Sequence, residues 1–98
     1  MESKEPRKVK MHVLKLKDDY YDAVMNGNKS AELRINDRDF RCGDLVHFTD
    51  VDGYEFPHSA LRDIFEKPNL FVITHVLDVS KVIAIQQDKY VILSIKRL

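Results

Sequence analysis

The chain has a single cysteine, Cys42, and no tryptophan. One cysteine excludes an internal disulfide framework and any cysteine-rich zinc site. Long apolar runs are also missing: none approaches the roughly 20 residues of a membrane helix. The start of the chain, Met1 to Lys8, is charged and lacks the apolar stretch of a secretory signal, so a cytoplasmic location without membrane contact is expected. No sign of charge dominates, because 16 basic side chains balance 16 acidic ones. A protein that coats nucleic acid through charge alone would be strongly basic. The four histidines, at 12, 47, 58 and 75, have no metal-type spacing. There is no glycine-rich phosphate loop and no hydrolase nucleophile motif. No metal and no cofactor are therefore expected.

What is present suits one small domain of 98 residues, 44% hydrophobic and 33% charged. Residues 1–8, polar and carrying Pro6, read as a flexible tail, and 9–98 as a single domain, expected to be a monomer. Val9 to Leu16 alternate as a strand with His12, Leu14 and Leu16 on one face. His12 on that face reads as a hydrogen-bonded core residue. Asp18 or Asp19 is expected to cap a short helix, with Tyr21 and Met25 facing in and Tyr20 free to stack a base. Gly27 ends the helix. A second strand covers 30–36, a third Leu45 to Thr49. Asp52-Gly53 predicts a hairpin returning through Tyr54 and Phe56. Ser59 starts a short helix with Leu61, Ile64 and Phe65 inside, Leu70 to Val79 form a long strand, and Tyr90 to Lys96 the last, central one. Val82 to Ile85 are compatible with a further short strand. The expected fold class is α+β: a small, curved, partly closed β-barrel of about five to six mostly antiparallel strands with one or two helices.

Charge is unevenly distributed. Residues 1–17 carry six basic and two acidic groups, and residues 50–66 five acidic and one basic. If the first and last strands paired, Lys10, Lys15, Lys17, Lys96 and Arg97 would form a basic patch. The acidic stretch would be the natural surface for a protein partner.

The stretch from Gly27 to Asn36 carries the most chemistry. Strand alternation places Ser30, Glu32 and Arg34 on one face and Ala31, Leu33 and Ile35 on the other, with Leu33 counted in the core. Lys29 sits on the preceding turn. A lysine, a carboxylate and a guanidinium gathered beside one another suit a polar ligand. An exposed strand face with an internal Glu32–Arg34 pair has the same spacing. Arg38, in the turn that follows, would extend such a site for an anion. Cys42 has no local activating partner and reads as an inert turn residue.

His12, Leu14 and Lys15, then Gly27, Lys29, Glu32 and Arg34, then Asn36, Asp37, Arg38 and Phe40, then Gly43 and Asp44 follow one pattern in unbroken order. In that pattern the chain resembles the DUF3850 proteins, of the ASCH group of the PUA-like superfamily. The family's step after the third strand is Tyr-Thr-Gly-Arg-like, whereas this chain has Tyr54-Glu55-Phe56-Pro57. The resemblance implies a PUA-type barrel closed by a helix, with Lys29 at the mouth of a cleft. It also implies a bacterial or phage origin and binding of RNA or a nucleotide, for which Lys29, Glu32, Arg34, Arg38 and Tyr20 are the candidate residues.

Some ASCH relatives are amidohydrolases or ribonucleases. For an enzyme the candidates are Lys29 and Glu32. The amidohydrolases, however, use a threonine where Glu32 stands, and a carboxylate does not replace an activated hydroxyl in acyl transfer. Ser30 is a hydroxyl displaced by about 7 Å along the strand. A hydrolase, or a phage-type protein-interaction module, is the alternative to a binding module.

Overall fold

A computed structural model describes residues 8–56, 68–79 and 89–98. The elements are β1 (Met11–Lys15), α1 (Asp18–Met25), β2 (Ala31–Ile35), β3 (Leu45–Thr49), β4 (Phe71–Asp78) and β5 (Tyr90–Arg97). The strands form one mixed sheet in the order β1-β3-β4-β5-β2, curled into a half-barrel. β1 runs parallel to β3, and the other pairings are antiparallel. Parallel neighbours need a long crossover. Here α1 and β2 supply it: the chain leaves one margin of the sheet, passes through the helix to the opposite margin, and returns beside its starting point. The tail before residue 8, the helix expected from Ser59, and the Val82 to Ile85 segment lie outside the described residues.

The core follows from alternation on β1, β3 and β5. Leu14, Val46, Phe48, Leu93 and Ile95 point inward, with Phe71 and Ile73 from β4. On α1, Val24 is buried while Tyr21 and Met25 pack against the core. Tyr20 stays 47% exposed. Lys17, not an aspartate, occupies the N-cap position and makes no side-chain cap bond. Asp18 and Asp19 fall in the first turn, where their charge suits the positive helix end. Gly27 closes the helix at φ 83°, and the Lys29 N–H reaches back to the Ala23 carbonyl at 2.9 Å. Arg97 of β5 donates to the Met25 carbonyl at 2.6 Å and so caps the helix from the sheet. Among the described residues, no helix is long and apolar enough to cross a membrane.

Three expectations are corrected. The first and last strands do not pair: among the described residues β1 neighbours only β3, and β5 lies between β4 and β2. Pairing therefore does not assemble the lysine patch. The Asp52-Gly53 turn forms, with both the Asp52 and Tyr54 N–H groups on the Asp50 carboxylate at 2.9 Å, but the described residues after it, Tyr54 to Phe56, form no strand. Phe56 instead leaves the hairpin to stack on Tyr21, ring centroids 3.9 Å apart. The largest correction concerns β2. Its expected core residue Leu33 is 59% exposed and Ile35 is 47% exposed, while Glu32 is only 8% exposed.

Candidate functional site

The inverted strand has a local cause. A lone buried carboxylate would cost several kcal/mol, and it becomes tolerable only with charged donors on its oxygens. Glu32 has two. Lys29 Nζ donates to Oε1 at 2.6 Å, and Arg34 Nη2 donates to Oε2 at 2.8 Å. The Gly27 turn delivers Lys29 to this point, and the two-residue strand period delivers Arg34. Lys29 also donates to the Ala31 carbonyl at 2.8 Å. Outside, Leu33 stands opposite Ile92 on β5, a cross-strand apolar pair that shields part of both.

Arg34 does a second thing. Its Nη2 reaches the Lys15 carbonyl on β1 at 2.5 Å, so the guanidinium crosses from one margin of the sheet to the other. Arg38 repeats the move from the turn after β2, donating to the Val13 carbonyl at 2.7 Å while its Nε lies 3.5 Å from Asp37. The half-barrel is thus joined across its open seam by two arginine side chains.

Tyr20 completes the group. Lys29 Nζ lies 5.8 Å from its ring centroid, within reach of a cation–π attraction. The structure therefore gathers four of the five residues picked from the sequence: Tyr20, Lys29, Glu32 and Arg34. Arg38 stands farther along the seam, tied to Val13, and does not join the Glu32 cluster. The side chains of Lys29, Arg34 and Glu32 are 30%, 24% and 10% exposed, so the lysine lies outermost and the carboxylate forms the floor. Arg34 Nε is buried without a hydrogen-bond partner, a donor left open in the floor. Two cations on one carboxylate leave a single formal positive charge. Such a site suits one anionic or carbonyl-bearing group and not a long polyanion.

The seam carbonyls of Val13 and Lys15 were not legible beforehand, because a backbone acceptor leaves no mark in side-chain patterning. A second polar centre is structural. His12 Nε2 lies 2.8 Å from Asp44 Oδ2, and both residues are buried. The Asp44 carboxylate also accepts the Lys10 and Arg41 N–H groups at 3.2 Å, which pins the turn before β3 to the start of β1. His12 is thus the hydrogen-bonded core residue expected from its face. His47 bridges the Asn69 carbonyl at 2.7 Å and Glu55 at 2.6 Å. Cys42 is exposed, with its thiol toward the Thr74 carbonyl at 3.2 Å. No group of three metal-ligating side chains occurs among the described residues.

The family described as "Domain of unknown function (DUF3850)" matches the chain over residues 11–95. No curated protein matches it.

Proposed function

The chain belongs to the DUF3850 family, and on that premise we propose that it is a nucleotide- or RNA-binding module of PUA-like (ASCH) type, working at the Lys29–Glu32–Arg34 cluster. The observation that carries this reading is the orientation of β2. The strand has apolar residues for a core face, yet it presents Leu33 and Ile35 to solvent and turns Glu32 and Arg34 inward. A polar interior of this kind costs stability and tends to mark function.

The residues divide the work. Lys29, at the exposed margin, meets a phosphate or a base carbonyl as a flexible cation. The Tyr20 ring beside it stacks a base. Glu32 orients the two cations. Arg34 supplies the inner donor and ties the floor to β1. Both Glu32 oxygens already accept from a cation. That pairing supports binding over hydrolysis, since a carboxylate engaged in this way is a poor general base.

The test is an NMR titration of labelled protein with single nucleotides and short single-stranded RNA. Amide shifts are expected within Gly27 to Arg38, and Lys29→Ala should weaken binding. Because at most Lys29, Arg34 and Arg38 meet phosphates, the plot of log affinity against log salt should have a slope of about −2 or shallower. Acetylated cytidine should survive incubation. Its turnover, abolished by Lys29→Ala, would instead establish an amidohydrolase. Absence of shifts with every nucleotide and RNA would refute the binding reading.

A further inference from the structure

We infer that the free margin of β1 is a docking strand for an extended acidic peptide whose apolar residues alternate with its carboxylates. Among the described residues, β1 lies at one margin of the sheet and pairs with β3 alone. The Lys10 carbonyl accepts from Leu45 N–H and the Leu16 N–H donates to the Thr49 carbonyl, so these even-numbered positions face β3. Strand alternation then turns the backbone groups of Met11, Val13 and Lys15 toward the open side. The bonds that reach the Val13 and Lys15 carbonyls come from the Arg38 and Arg34 side chains, and both contacts are solvent-exposed.

On the opposite margin, β2, two outward carbonyls are bonded by residues close in sequence. Lys29 takes the Ala31 carbonyl and the Asp37 N–H takes the Ile35 carbonyl, each from two residues away. On β1 the covering arginines come from 19 and 25 residues away along the chain, held by flexible side chains. An unpaired strand margin covered this lightly is a template for strand addition.

The side chains state what kind of strand fits. Val9, Met11 and Val13 are 63%, 50% and 51% exposed, and Met11 and Val13 share the outer face of the strand. Around them Lys8, Lys10, Lys15 and Lys17 are exposed, and residues 8–17 contain four lysines and no acidic residue. A second copy of the chain paired through β1 would set lysines against lysines, which is unfavourable across a ladder. An acidic partner reverses that sign, and alternate apolar residues match Met11 and Val13. The added strand's N–H groups replace the guanidinium groups on the Val13 and Lys15 carbonyls, and its carboxylates face the lysines and the released Arg38. Single-stranded RNA offers the charge but neither the ladder nor the apolar side chains.

The probe is a capped peptide Glu-Val-Glu-Val-Glu-Val-Glu, titrated into the labelled full chain. The amides of Met11, Val13 and Lys15 should shift and gain protection from hydrogen exchange, while His12 and Leu14, already facing β3, should show no such gain. The same peptide N-methylated at alternate residues should not bind. Val13→Pro, which removes an outward N–H and leaves the β3 ladder intact, should abolish binding. If that variant does not fold, the N-methylated peptide still decides the question. Equal binding by the N-methylated peptide or by an all-glutamate peptide would reduce the effect to charge attraction and overturn the proposal, as would no binding at all. RNA moving these amides while the peptide does not would also overturn it. Nucleotide should move the amides of Gly27 and Lys29 without protecting those of Met11, Val13 and Lys15 from exchange, so the outcome is separable from that of the nucleotide titration.

Discussion

β1 and β2 are the two margins of one sheet, each five residues long, and both alternate inside and outside. They alternate to opposite ends. β1 turns His12 and Leu14 inward and leaves Met11 and Val13 partly in water. β2 turns Glu32 and Arg34 inward and leaves Leu33 and Ile35 in water. The inner face of each strand goes to the side chains whose partners are there. For Leu14 the partners are the apolar residues of the core. For Glu32 they are two cations and, through Arg34, a carbonyl of the opposite margin. Apolar content alone therefore does not decide which face is buried.

The sharpest way to break the comparison is to remove the inner residue of each strand. Leu14→Ala empties a fully packed position and should lower stability by roughly 2–5 kcal/mol in urea unfolding. Glu32→Ala should cost less, about 1–3 kcal/mol, because Lys29 and Arg34 lose charged partners yet keep some access to water. Arg38→Ala removes an exposed contact to β1 and should cost about 1 kcal/mol or less, read from the same curves. A reversal of this order, with Arg38→Ala the most damaging, would make the seam and not the core the main support of the sheet.

Much of the site was readable in advance. Glu32 and Arg34 share a face because strands have period two, and Gly27 with the following turn places Lys29 beside them. The helical spacing of Tyr21 and Met25 showed which side of α1 faces the core. What alternation does not show is which of two faces is inside, since shifting the choice flips every side chain together. By alternation alone, Leu33 fits the core as well as it fits the outer face. The parallel neighbour of β1 was illegible too, because a pairing such as Leu14 with Phe48 is made by residues far apart in sequence. The arginine bonds across the seam end on backbone carbonyls, which every residue possesses.

The orientation of β2 is the claim on which the site depends, and Leu33→Lys tests it most directly. An exposed outer-face position accepts a lysine, so the variant should fold with an unfolding free energy within about 1 kcal/mol of the parent. A buried position would leave an unpaired charge in the core, and loss of the cooperative unfolding transition in Leu33→Lys would contradict the account.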